Sequence, residues 1–395
     1  MANTRLAIPS KELQLKLVGP ANFLLAPRVQ RLSLNADNPS TIVDEIGSSS
    51  HAGESKDIPN VTLTFSAFDV GIKIFSVLTG TDWTAYPAGG VDISHLGEID
   101  AALYVKSASV SDYVKSGHAR RLQIRDFSYS YSVDGESTED YTAIGSERRW
   151  FAYDVIVDRF ITGTTSFTLT QTPVQLKNGN NALSVIVDGT YLTEVTTAPA
   201  AGEYRLVGTT LTVGTAMVSQ ALVVYHANPA GSNWSDVSDS SMPAAIKGKD
   251  VKIVISANNI PRVQSVTING TLNVQPVTEM GNTAKIIGYQ SQVPTVEGTI
   301  TVLDTDTQLI SLLTTGALAS GVEWSPGEGC VASGLSLAIT LYDPCNEAVA
   351  LKEIYLDSIT PNSDAYSLNV NGNASLQIGF RSLTGHAVVY SGLKA

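Results

Sequence analysis

The chain has 395 residues, 16% charged and 43% apolar, with 37 acidic residues against 25 Lys and Arg and a formal net charge of −12. That length allows two or three domains. The acidic balance argues against a general nucleic-acid binder, which needs clustered cations to displace counterions from phosphates, and leaves room for a protein that nucleic acid slides past without sticking.

Thr, Ser, Val, Gly and Tyr are plentiful, so many short strands and a mainly β fold are expected. The N-terminus, MANTRLAIPSKELQ, has no apolar core of signal-peptide length, and no segment reaches the roughly 18 to 20 apolar residues of a membrane span. Synthesis and assembly in a cytoplasm, away from membranes, are expected.

Leu13, Leu15 and Leu17 alternate as a half-buried strand, followed by PRVQRLSLN from Pro27 to Asn35. A polar stretch containing GSSSHAGESKD then runs to Pro59. It reads either as a flexible surface excursion or as a loop that orders against a neighbouring subunit. Val61, Leu63 and Phe65 form the next strand, after which Ile72, Phe75 and Leu78 fall at helical spacing. Asp69 is placed to cap that helix and Gly80 to end it.

Phe127, Tyr129, Tyr131 and Val133 alternate with serines and meet Asp134-Gly135 before a second polar strand. Asp-Gly flanked by alternation predicts a hairpin with a type I′ turn, in which both central residues have positive φ. One face of this aromatic strand is expected to be packed and its hydroxyl face wet. Base stacking would require cations beside the rings, whereas Asp126, Asp134, Glu136, Glu139 and Asp140 surround them.

From Ile161 to Pro243 short strands and turns predict a small β module followed by a polar linker, HANPAGSNWSDVSDSSMP. Beyond it the earlier landmarks recur. PRVQSVTIN from Pro261 to Asn269 repeats PRVQRLSLN, and Glu279-Met280-Gly281 answers Glu45-Ile46-Gly47. Val293-Pro294 answers Ile58-Pro59, Asp304 answers Asp69, and Asn371-Gly372 answers Asp134-Gly135. In the second helix Asp304 or Thr305 caps, Leu309, Leu312 and Leu313 make the stripe, and Gly316 ends it. A collinear series of this kind predicts two homologous domains of roughly 150 residues, with bounds 1–160, 161–243 for the insert, and 244–395.

Cys330 and Cys345 lie in the second repeat without counterparts in the first, and two buried thiols are expected rather than a disulfide. No catalytic constellation is visible. The five histidines are scattered, and there is no nucleophile elbow, phosphate-binding Gly-rich loop or Cys-x-x-Cys. No enzyme activity, cofactor or metal is expected.

The duplicated series of strand, PRVQ strand, long loop, strand, single helix and aromatic hairpin resembles the tail tube proteins of long-tailed bacteriophages. The resemblance covers about three quarters of the chain. It implies two tandem tail-tube-like β-sandwich or barrel domains, each with one flanking helix, and an inserted immunoglobulin-like β module as an outward decoration. It implies a virion protein, assembled in the host cytoplasm, whose partners are itself and the other tail proteins: tape measure, tail terminator and baseplate. Three chains would supply six domains, giving a trimeric, pseudo-hexameric ring, and stacked rings would form the conduit for DNA ejection without sequence-specific binding. Residues expected at joints between subunits or rings are Tyr129, Tyr131, Asp134, Gly135, Tyr366, Asn371, Gly372, Glu45 and Glu279. The second reading is a baseplate hub or adhesin whose insert recognises a glycan or receptor.

Overall fold

A computed structural model describes residues 13–394 except 45, 47–49, 52, 107–112, 162, 177–180, 182, 228–244, 261, 280–285, 287, 304–309, 313–333 and 369–372. The fold is mainly β. An N-terminal unit supplies β1 (Leu13–Val18), β2 (Phe23–Leu25), β3 (Val29–Asp37), β4 (Ser40–Val43), β5 (Gly53–Lys56), β6 (Asn60–Phe68) and α1 (Lys73–Thr79). It continues through β7 (Val91–Asp92), β8 (Glu98–Lys106), β9 (Tyr113–Ser132), β10 (Thr138–Gly145) and β11 (Glu147–Phe151). A middle module holds β12 (Asp154–Phe160), β13 (Ser166–Thr168), β14 (Leu183–Val187), β15 (Thr190–Tyr191), β16 (Thr193–Glu194), β17 (Glu203–Val207), β18 (Thr210–Val213) and β19 (Ala221–Ala227). A C-terminal unit supplies β20 (Val251–Ile255), β21 (Asn258–Asn259), β22 (Val263–Thr271), β23 (Gln275–Val277), β24 (Gly288–Gln290) and β25 (Thr295–Leu303). It ends with β26 (Leu335–Asp343), β27 (Asn346–Ser367), β28 (Ser375–Ser382) and β29 (Ala387–Tyr390).

Strands of the N-terminal unit run β2–β1–β8–β9–β11 in one sheet and β3–β6–β10–β9 in another. Those of the C-terminal unit run β21–β20–β26–β27–β29 and β22–β25–β28–β27. The two orders are the same. In each unit the longest strand serves both sheets, and it turns from one to the other at a left-handed residue, Arg121 (φ 50) or Ser358 (φ 51). A bulge at such a residue bends a strand and increases its twist.

The PRVQ stretches carry a second matching irregularity. Arg28 (φ 49) and Arg262 (φ 61) are left-handed, and each sits just before a register shift that skips the following Gln30 or Gln264. Each Gln side chain donates back to the carbonyl of its Arg, at 3.0 and 3.2 Å. The motif is therefore a bulge that starts a strand. Non-glycine residues in this region are uncommon, so the paired occurrences at paired positions are informative.

The two units share one apolar core and one sheet. β22 pairs with β9 from Ser265↔Ser132 to Thr271↔Asp126, making a continuous run β3–β6–β10–β9–β22–β25–β28–β27. Between Phe127 and Gly270 the approach is close enough that a Cβ on Gly270 would lie 2.1 Å from the ring.

The structure corrects several expectations. α1 begins at Lys73 with Ile72 as a cap that makes no side-chain bond, so Asp69 is not its cap. Gly80 does end it, with φ 69. In the C-terminal unit residues 310–312 are helical and Leu312 is buried, while Asp304, Thr305, Leu309, Leu313 and Gly316 lie outside the described residues. The aromatic hairpin forms, but neither Asp134 nor Gly135 has positive φ. That turn is not type I′ because its backbone is committed elsewhere: Val133 N–H bonds Gln264 and Ser137 N–H bonds Ile246. The type I′ signature instead appears at Asp188 (φ 47) and Gly189 (φ 82), joining β14 to β15. Cys345 is exposed rather than buried, and Cys330 lies outside the described residues.

The middle module consists of two four-stranded sheets, β12–β19–β14–β15 and β13–β18–β17–β16, closed over their own apolar core. It starts at β12, before the expected boundary at Ile161, because β12 pairs along its whole length with β19, Asp154↔Ala227 to Phe160↔Ala221.

Candidate assembly surface and interdomain junction

The continuous eight-stranded run has two unlike faces. Alternation puts Phe127, Tyr129, Tyr131, Val266, Ile268, Ile300, Ile378 and Phe380 into the core. The opposite face carries hydroxyls and amides in register: Ser128 Oγ donates to Asn269 Oδ1 at 2.7 Å, Thr267 meets Thr299 at 2.9 Å, and Ser367 meets Ser375 at 2.8 Å. Its charges are Asp37, Asp126, Asp140 and Glu297 against Arg31 and Arg381, and Arg125, at the β9 bulge, pairs with Asp126 at 2.7 Å.

Among the described residues this run ends at two edges, β3 and the second half of β27. By the matching pairings, these two strands hold the places that β22 and β9 hold where they join. Tyr129 pairs with Glu139 and Tyr366 with Leu376, so Tyr366 stands where Tyr129 does. Tyr129 is fully buried, whereas Tyr366 is 60% exposed; Leu368, two residues on, is 68% exposed where Tyr131 is buried. On β3 Leu32 and Leu34 are half-buried where Val266 and Ile268 are fully buried. The Leu34 carbonyl accepts a hydrogen bond from Arg148 Nη1 at 3.0 Å.

The remaining expected joint residues disperse. Asp134 and Gly135 are exposed on the β9–β10 turn, and Glu279 is exposed next to β23. Glu45, Asn371 and Gly372 lie outside the described residues. The long stretch after β3 is an exposed hairpin, β4–β5, with Ile42 and Val43 facing solvent. Its counterpart β23–β24 rests on the N-terminal unit through Tyr289, whose hydroxyl donates to the Ile144 carbonyl at 3.0 Å.

Behind the β9–β22 joint lies a group of side chains that local sequence did not reveal. Lys352 of β27 is fully buried, 2.5 Å from Asp69 Oδ2 and 3.6 Å from Glu139 Oε2, both also fully buried. Tyr131 donates to Asp69 Oδ2 at 3.0 Å, Gly71 N–H to Asp69 Oδ1 at 3.0 Å, and Tyr141 to Glu139 Oε2 at 2.9 Å. The Lys352 ammonium also sits 4.6 Å from the Tyr129 ring centroid. Burial opposes the charge on Lys352, but Asp69 and Glu139 outweigh it and raise its pKa above the ordinary lysine value. Burial pushes the Glu139 carboxyl up to about 8, with Lys352 opposing. Glu139 Oε1 has no hydrogen-bond partner.

A second polar group joins the middle module to the N-terminal unit. His118 lies between Asp100 Oδ2 at 3.0 Å and His226 Nε2 at 3.1 Å, and Tyr191 donates to Asp100 Oδ1 at 3.0 Å. His226 stacks on Phe151 with ring centroids 3.5 Å apart. Burial, with His118, Arg120 and Arg149 nearby, depresses its pKa to about 2, so it is a neutral imidazole. Around it Val18, Ala102 and Tyr104 pack on Val155, Ile186, Leu222 and Val224.

Among the described residues no cluster of His, Cys, Asp or Glu could hold a metal ion, and no helix is long and apolar enough to cross a membrane. No protein-family model matches the chain, and no curated protein does.

Proposed function

We propose that the chain is a structural subunit of a hollow tube of the bacteriophage tail-tube kind, built from two copies of one fold. Three chains close into a ring of six units, and stacked rings form a conduit for DNA. The observation that carries this reading is the correspondence between the joint inside the chain and the open edges of its sheet. β9 and β22 pair; their counterparts, β27 and β3, end the same sheet with Tyr366 and Leu368 exposed and Leu32 and Leu34 half-buried at positions buried in the internal joint, and Asp364 standing where Phe127 does.

Repeating the internal register between chains pairs Ser33 with Ser367, Asn35 with Ala365 and Asp37 with Ser363 of a neighbour. Arg148 then gives up the Leu34 carbonyl to a backbone N–H. Three chains of eight strands make a barrel of 24, and barrels of about 16 to 18 strands already leave an aqueous channel. The hydroxyl face lines that channel because the other face is core. With Asp37, Asp126, Asp140 and Glu297 on this face, and Arg125 and Arg381 paired to Asp126 and Glu297, the wall offers phosphates little to hold.

Exposed edge strands are an aggregation liability in a monomer, and this arrangement uses them as joints. Ring closure consumes the edges, while head-to-tail stacking leaves a filament free to grow. The test is a double variant, Ser33→Cys with Ser367→Cys, oxidised after assembly. Covalent dimers and trimers with no higher species are expected, together with hollow tubes in electron micrographs. Monomers with no cross-linked species at any concentration refute the reading.

A further inference from the structure

We propose that Lys352 and Asp69 condense to an intramolecular amide that welds the C-terminal unit to the N-terminal one, with Glu139 as the catalytic acid–base. The reactants are in contact: Lys352 Nζ lies 2.5 Å from Asp69 Oδ2, with both side chains wholly excluded from solvent. Glu139 Oε2 stands 3.6 Å from the same nitrogen, and its other oxygen has no partner. Three buried tyrosines, Tyr129, Tyr131 and Tyr141, enclose the group. An amine and a carboxyl held in contact in a fixed pose have already met the entropic cost of encounter.

The chemistry balances within the site. A proton passes from the Lys352 ammonium to the Asp69 carboxylate, leaving a free amine and a carboxylic acid. Asp69 and Glu139 favour the ammonium, so the neutral pair is a minor state; burial, which opposes both charges, keeps it accessible. The amine nitrogen then attacks Asp69 Cγ, and the charge developing on Oδ1 faces the Gly71 N–H, 3.0 Å away. The carbon–hydroxyl bond breaks, and Glu139 relays the second amine proton to the departing oxygen. Ammonium and carboxylate become one amide and one water, and Glu139 finishes protonated as it began. Its raised pKa, about 8, keeps that proton available at neutral pH.

Among the described residues the group occurs once. By the strand pairings Lys115 stands where Lys352 does, but Leu376 replaces Glu139. One amide per chain is therefore expected. It forms within a chain and does not depend on tube assembly.

Intact mass spectrometry of the full denatured chain tests this. The wild type is expected 18 Da below its sequence mass, and after trypsin the peptide 57–73 is joined to the one carrying Lys352. Lys352→Met, Asp69→Ala and Glu139→Gln are each expected at full sequence mass. A wild type at full sequence mass overturns the proposal, whether or not any variant folds. So does an 18 Da loss without the joined peptides. Retention of the loss in Glu139→Gln overturns the role given to Glu139.

Discussion

The sharpest test of the assembly surface is Tyr366→Asp set beside Tyr129→Asp. The two tyrosines occupy matching positions but are 60% and 0% exposed. Covering the open portion of Tyr366 removes about 120 Å² of a side chain of about 200 Å² from water, worth about 3 kcal/mol per joint. Losing that term weakens each association at least about 100-fold, and a carboxylate in the joint adds a desolvation penalty. The isolated chain should be little affected, because Tyr366 is exposed in it. Tyr129→Asp should instead destabilise the chain itself by about 4 kcal/mol or more, through a lost aromatic core residue and a new buried charge. Sedimentation measures assembly and urea unfolding measures stability. If Tyr366→Asp assembles like the wild type, or destabilises the isolated chain as much as Tyr129→Asp, the correspondence between internal joint and open edge is wrong.

Three further outcomes follow from the geometry. Lowering pH should loosen the middle module through His226: its folded pKa, about 2, lies below the unfolded 6.5, so its contribution is intact above pH 6.5 and lost as pH falls. The loss is about 2 kcal/mol by pH 5. Glu139, raised to about 8, pulls the other way, its penalty growing as pH rises from 4.5 towards 8; the quantity to measure by urea unfolding is therefore the wild type minus His226→Phe, and a pH-independent difference contradicts the account. Gly270→Val should cost about 1–3 kcal/mol by overpacking the Phe127 ring, read as a lower Tm. Deleting residues 154–227 behind a short linker should leave tube formation intact, whereas loss of assembly on micrographs would show that the module is structural.

Much of the strand pattern was legible because it is local. Phe127, Tyr129 and Tyr131 alternate with serines and do face the core, and Gly80 does end α1 with a positive φ. The misreadings share one cause. Asp69 before an apolar helical stripe has the local form of a cap, but its partner Lys352 is 283 positions away. Asp134-Gly135 has the composition of a type I′ turn, yet the turn answers to Gln264 and Ile246 across the joint. β12 looked like the end of the N-terminal unit because its pairing with β19 spans the whole middle module. The PRVQ stretches were visible as a repeat, but not as bulges, since a left-handed arginine has no compositional mark. His226 and His118 are 108 positions apart and meet only because β9 and β19 do.

The pairing of Asp154 with Ala227 brings the two ends of the middle module side by side, because opposed residues in antiparallel strands lie about 5 Å apart. Such a module hangs on the chain like a pendant on a clasp: its strands form two sheets separate from the main one. Removing it, or exchanging it for another domain with adjacent termini, leaves the strand order on either side untouched, but uncovers Val18, Ala102 and Tyr104, which pack on it. The same position is thus a natural graft point. On a tube of stacked rings, anything fused there would be presented three times per ring at regular spacing.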